Sequence, residues 1–169
     1  MLRLWPNAVS DPFRPLKNAF ARYPTGVTVV SCVGSDGKPL GITVNSFNSV
    51  ALEPALVSWC LDDHTSVAAE FLAADHYAVS ILSVDQEKAC MRFATPGQHE
   101  FINGEGETFK TGAPLLKGRI AGFDCRLAER LKVGDHTILI GEIVHFDSFP
   151  GKPLVYAGRQ FLSGPMIED

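Results

Sequence analysis

Two stretches of polar side chains interrupt otherwise apolar runs in this chain, and both carry residue types suited to holding a ligand. The first is Thr43-Val44-Asn45-Ser46-Phe47-Asn48-Ser49 and the second is Asp62-Asp63-His64-Thr65-Ser66. Thr43, Asn45 and Ser46 offer hydroxyl and amide groups that donate and accept hydrogen bonds, which suits the polar edge of a flat heteroaromatic ligand. Thr65, Ser66 and the free backbone N–H groups of a helix start suit a phosphate, because hydroxyls and a helix dipole bind an anion without a basic patch. The same spacing also fits side chains that face water or cap neighbouring turns. The pattern alone leaves both readings open.

Other chemistries find less support. His64, His76, His99, His136 and His145 form no His-x-His or His-Glu-x-x-His, so no metal site is expected. Cys32, Cys60, Cys90 and Cys125 include no Cys-x-x-Cys and each sits in an apolar run, which fits inert core thiols better than a reactive one. No serine lies in a Gly-x-Ser-x-Gly elbow. The glycines at Asn103–Gly106 follow no strand and open no helix, so they do not make a dinucleotide loop.

The 169 residues, 46% hydrophobic and 20% charged, imply one globular domain, with a core over about residues 13–162. A net charge of -4 with basic residues scattered singly gives no reason to expect nucleic acid as a partner, and leaves phosphate recognition to hydroxyls and amides. Apolar runs fall well short of the roughly 20 residues that span a bilayer, so no membrane is expected. Met1–Ser10 has one Arg and no sustained apolar run, and a cytoplasmic location is the expectation.

Periodicity supplies the elements. Asp11 as cap and Pro12 in the first turn, followed by Phe13, Leu16 and Phe20, predict an amphipathic helix over about 12–22. The β-branched run Val27–Val33, the turn cluster 34–39 and the run 40–50 predict a hairpin. Its second strand would carry Ile42, Val44, Ser46, Asn48 and Val50 on one face and Thr43, Asn45, Phe47 and Ser49 on the other. Strands at 55–61 and 77–82 and helices at 67–72, capped by Thr65 or Asp63, and 85–94 come next. A long irregular stretch over 95–114 follows, of the kind that serves as a lid. Long strands at about 118–131 and 136–146 and a last one at 154–161 complete the chain. At least six strands in mostly hairpin order predict a mainly β fold, an antiparallel barrel with helices at its margins.

Four motifs in order resemble the short-chain flavin reductases. They are Tyr23-Pro24-Thr25-Gly26-Val27, then Gly41–Val50 with Glu53-Pro54, then Gly134-Asp135-His136, then Pro153-Leu154-Val155-Tyr156. The resemblance implies a Greek-key-like split β-barrel that binds FMN or FAD. It also implies a homodimer, reduction of flavin by NADH or NADPH, and delivery of reduced flavin to a partner monooxygenase. By position it assigns Thr43, Val44, Asn45, Ser46 and Ser49 to the flavin ring and ribityl chain. Cys60, Leu61 and Asp62 fall beside the ring, and Thr65 and Ser66 at the phosphate. His136 falls at the nicotinamide as the catalytic residue, with Tyr156 on the nicotinamide side. From their place in the segment following the last long strand, Tyr156 and Arg159 are further candidates to reach the site or the adenine and phosphate of the pyridine nucleotide. The chain departs from the family in Glu53-Pro54-Ala55 and in carrying Asp62-Asp63-His64 before the phosphate residues, where acidic groups must point away. The alternative within the same fold is a flavin-binding electron carrier without turnover. Hydride transfer between two stacked rings needs orientation and stabilisation of charge rather than a general acid, so the missing carboxylate pair is no objection.

Overall fold

A computed structural model describes residues 11–168; the expectation for Met1–Ser10 lies outside them. Helix α1 covers Arg14–Phe20. It is shorter than the periodicity predicts and has Pro15, not Pro12, in its first turn. Asp11 still acts at its start, accepting the Phe13 N–H at 3.0 Å and the Lys17 ammonium at 3.0 Å.

Strands β1 (Thr25–Gly26), β2 (Thr28–Val33) and β3 (Pro39–Val44) follow. Next come β4 (Asn48–Leu52), β5 (Ala55–Asp62), α2 (Ala68–Ala73) and β6 (His76–Ile81). A 3₁₀ turn at Val84–Gln86 leads into α3 (Glu87–Phe93). After it come β7 (Gly106–Thr108), β8 (Pro114–Leu116), β9 (Ala121–Val133) and β10 (His136–Ser148). A hairpin of β11 (Leu154–Ala157) and β12 (Gln160–Ser163), where one strand was expected, ends the series. All described strand pairs within the sheets are antiparallel.

The largest sheet has the order β3-β2-β6-β9-β10-β5-β4, so β3 and β4 are its two opposite edges. Only Asn45, Ser46 and Phe47 join them. Seven strands laid flat would hold their edges about 29 Å apart at a spacing of about 4.8 Å. The four links from Val44 to Asn48 reach at most about 14 Å. The sheet must therefore curl until its edges approach, which is the split barrel. The single strand expected over 40–50 is thus two strands and a corner. Side-chain direction records the break: Ile42 and Val44 pack on the barrel core, and so does Phe47, which continued alternation would have put on the opposite face. Phe47 stacks on Phe123 with centroids 5.6 Å apart.

Trp59, fully buried, organises that core, with Phe71 at 5.2 Å and Tyr77 at 5.9 Å in edge-on contacts. A second core lies under α3, where Val29, Cys90, Phe93 and Leu154 meet. Burial pushes the thiols of Cys32, Cys90 and Cys125 up to about 12, so they stay protonated and shielded at neutral pH. Alkylation of the native protein at pH 8 should therefore label Cys60, which is half-buried, and leave the other three untouched. Peptide mapping that finds Cys32, Cys90 or Cys125 modified before unfolding would contradict this core.

The stretch 95–114 is not a lid over the principal cleft. It is tied down by the β7–β8 ladder, by a double hydrogen bond from Arg92 to Glu105 at 2.7 Å, and by His99, whose Nδ1 lies 3.1 Å from the Gly41 carbonyl oxygen. None of its residues lines that cleft.

Candidate functional site

The principal cleft, about 920 Å³, opens where the barrel corner meets α1 and the small sheet β1-β11-β12. The corner forms one wall through Asn45, Ser46, Phe47 and Asn48. Thr25 and Gly26 of β1 pair with Tyr156 and Val155 of β11, so Thr25 and Tyr156 stand side by side in the opposite wall. The Thr25 hydroxyl oxygen is buried without a partner in the protein, leaving one unused polar group in a residue that lines the cleft.

Ser46 holds the corner in place. Its hydroxyl oxygen accepts the Cys60 N–H at 3.0 Å and its proton faces the Cys60 carbonyl at 3.4 Å. This pair of bonds links the first polar stretch to the end of β5, where the second begins. There, β5 and β10 run side by side with Asp62 opposite His136. His136 is held through Nδ1 by the Asp135 carboxylate at 2.7 Å. That hydrogen bond, with the charges of His136 and His64 nearby, keeps Asp135 below the usual carboxylate range.

Neither Thr65 nor Asp63 caps α2, contrary to expectation: Val67 is its first flanking residue and no side chain caps it. Asp63 points elsewhere. It accepts the Thr137 hydroxyl at 2.8 Å and pairs with Lys132. Asp62 accepts the His64 N–H at 2.9 Å. One of the two acidic groups that disfavour a phosphate is thereby neutralised, and the other is committed to its own turn.

The residues expected at the site thus fall into three sets. Asn45, Ser46 and Tyr156 line the cleft. Cys60, Asp62, Thr65, Ser66 and His136 lie along the adjoining β5–β10 end, outside the cleft lining. The remaining side chains are engaged or displaced. Thr43 donates to the Cys90 carbonyl at 2.7 Å, Val44 and Leu61 pack into the barrel core, and Ser49 sits exposed on β4.

Sequence reasoning named Arg159, which lines the cleft, but missed the two other basic residues there. Arg14 and Lys17, distant from it in sequence, also line it, with Asp11 the one carboxylate among the lining residues. The lining is net positive by two in a chain of net charge -4. No sequence signal brings residues 14 and 159 together; the backbone bond from Gly158 N–H to the Ala21 carbonyl, at 2.7 Å, does so in the fold.

This architecture defines a class, the split-barrel flavoproteins, and comparison with known proteins places the chain within it. The family described as flavin reductase like domain matches residues 20–165. FMN reductase (NADH) SmoA of Agrobacterium fabrum is 39% identical over 148 residues, covering 88% of this chain and 84% of that one. The reductase component of the flavin-dependent trigonelline monooxygenase of Acinetobacter baylyi is 39% identical over 138 residues, covering 82% of this chain but 44% of its own length. The structure of the NADH:FAD oxidoreductase SgcE6 of Streptomyces globisporus, in complex with NAD and FAD fragments, superposes with a TM-score of 0.82 at 34% identity. It covers 92% of this chain and 95% of that one. The chain belongs to the flavin reductase-like family and is an oxidoreductase of the NAD(P)H-dependent flavin reductase class. Among its described residues no helix is long and apolar enough to cross a membrane.

Proposed function

We propose that the protein reduces FMN or FAD with NADH or NADPH in this one cleft and supplies the reduced flavin to a separate flavin-dependent oxygenase. The observation that carries the reading is that three motifs distant in sequence converge on one cavity, Thr25 from the first, Asn45 and Ser46 from the second and Tyr156 from the last. The cavity has the size of a nucleotide site, and its unpartnered Thr25 hydroxyl and open polar corner fit a ligand with a hydrogen-bonding edge.

A bound flavin would supply the hydride acceptor of the reaction. Asn45 and the backbone of the corner hold the ring's polar edge and stabilise charge there. Ser46 is a positioning residue, because its hydroxyl is spent on Cys60. Thr43 and Val44 act the same way, anchoring β3 to α3 and to the core. A bound flavin would be flanked by Cys60 and Asp62 at the end of β5, with Leu61 supporting that strand from the core and Ser49 on the outer strand β4, and Thr65 and Ser66 would receive its phosphate. His136, fixed by Asp135 at the β5–β10 end, would orient the nicotinamide, and Tyr156 would meet it from the cleft wall. Phe47 and Tyr156 keep water from the stacked rings.

Steady-state oxidation of NADH and NADPH with riboflavin, FMN or FAD tests this. Turnover that depends on added flavin is expected; a protein that binds flavin but consumes neither nicotinamide nucleotide is the electron carrier instead. His136→Ala should lower kcat/KM for the nicotinamide substrate about tenfold through loss of orientation. Unchanged saturation and turnover would remove its assigned role.

The same reading makes the chain one domain with its core over residues 13–162 and pairs it as a homodimer. In support of the pairing, α1 buries none of its residues, and Phe20 and Leu52 are 68% and 89% exposed. Light scattering that returns a monomer at working concentration would overturn the pairing. Cytoplasmic action fits the four unpaired cysteines.

A further inference from the structure

The hairpin turn between β11 and β12 places Gly158 and Arg159 both at positive φ, 57° and 66°. A tight hairpin turn of this kind selects glycine, asparagine or aspartate at its two central positions, because a Cβ there is strained. Gly158 obeys the rule and Arg159 does not. It is the one non-glycine residue at positive φ among those described. It lines the cleft, and no carboxylate among the described residues pairs with it. The turn is fixed against α1 by the Gly158–Ala21 hydrogen bond, which brings the guanidinium to the rim that Arg14 and Lys17 occupy. Those two cations share Asp11, at 4.0 and 3.0 Å. Arg159 therefore costs the fold backbone strain, adds a charge to a rim already positive, and returns no ion pair inside the chain.

We propose that Arg159 is a specificity-determining residue that binds a phosphate of the nicotinamide nucleotide, with Arg14 and Lys17 adding to the field. The inference rests on the reading of the cleft as the place where flavin and nicotinamide meet. That reading gives the flavin phosphate to Thr65 and Ser66 at the adjoining β5 end, outside the cleft lining, and leaves the α1 side of the cleft for the second nucleotide. A guanidinium fork suits phosphate oxygens bidentately, and a wall of positive charge raises the local concentration of a polyanion.

Two measurements test it. The first is calorimetric binding of ADP-ribose, which carries the pyrophosphate and no nicotinamide, and so does not depend on turnover. Arg159→Gln should weaken it about tenfold or more, and Arg159→Lys should recover part of the loss. Arg159→Gly suits the positive φ: it should raise Tm by about 2–4 °C by relieving the backbone while losing affinity like the Gln variant. Higher stability with weaker binding is a signature that a merely structural arginine does not produce. The second measurement compares KM for NADH, for NADPH and for a phosphate-free dihydronicotinamide in wild type and Arg159→Gln. A rise in both nucleotide constants relative to the phosphate-free donor assigns the pyrophosphate, and a rise for NADPH alone assigns the 2′-phosphate. Equal ADP-ribose affinity in wild type and Arg159→Gln together with an unchanged KM for NADPH, no ADP-ribose binding by the wild type, or a change confined to the KM for flavin each overturns the proposal. Wild type that binds ADP-ribose yet never turns over added flavin overturns the reductase reading instead, and leaves the Arg159 comparison to be decided by calorimetry.

Discussion

Asp147→Ala should cost about 3–5 kcal/mol of folding stability, the effect of stripping one partner from a buried ion pair. Arg119 is 3% exposed. It donates from Nε to Asp147 at 3.0 Å, pairs with the same carboxylate through Nη2, and donates from Nη1 to Glu107 at 2.7 Å and to the Leu116 carbonyl at 2.8 Å. The rings of Phe109 and Phe149 stand over the guanidinium. Burial opposes the charge, but the two carboxylates outweigh it and hold the group above the usual arginine pKa. Gly122 leaves room for the pair, since a Cβ there would press on Asp147 and Leu115 at 2.8 Å. Removing Asp147 leaves a desolvated cation with one exposed partner, Glu107. Glu107→Ala, on the solvent side, should cost less than about 1 kcal/mol. The double variant Arg119→Met with Asp147→Leu should recover most of the stability, because a well-packed apolar pair often replaces a buried ion pair without loss. Urea unfolding measures all three. Asp147→Ala within about 1 kcal/mol of wild type would show that solvent reaches the pair freely.

Ser46→Val carries the largest effect expected on ligand binding. It leaves the Cys60 N–H without its acceptor, at about 1–3 kcal/mol, and frees the corner from β5 where Asn45 must be held. We expect flavin affinity to fall at least about tenfold, with Ser46→Thr keeping the hydroxyl and most of the affinity. Flavin fluorescence titration provides the measurement. Valine and threonine variants that bind alike would mean that the corner is held by Phe47 packing and not by the hydroxyl.

Much of this is legible in the local chemistry of the sequence. The β-branched run before Gly34 and the Gly37-Lys38-Pro39 turn give β2 and the start of β3 nearly to the residue, and Gly134 marks the β9–β10 turn. The four motifs and their order carry the family. The corner at residues 45–47 was not legible, because Asn-Ser-Phe contains neither glycine nor proline to punctuate an alternating run. That β3 and β4 lie at opposite edges depends on strands that arrive much later in the chain. The cationic rim failed for the same reason: Arg14 and Arg159 meet only through tertiary hydrogen bonding. Arg119 looks like any single surface base until β7 and β10 bring Glu107 and Asp147 to it. The acidic pair before Thr65 reads as unfavourable to a phosphate until Lys132 is found on Asp63.

The three-residue corner has a consequence for biogenesis. On the ribosome, β3, β4 and β5 emerge together, yet β9 and β10, which must lie between β6 and β5, are made only from Ala121 onward. Until then β5 has β4 on one side and an open ladder edge on the other, the kind of edge that recruits foreign strands. The corner is thus drawn into its final curvature at the last stage of synthesis. If a nucleotide binds the closed corner as proposed, it would select chains whose C-terminal half has already docked, and cofactor supply would then act on the yield of folded protein as well as on its turnover.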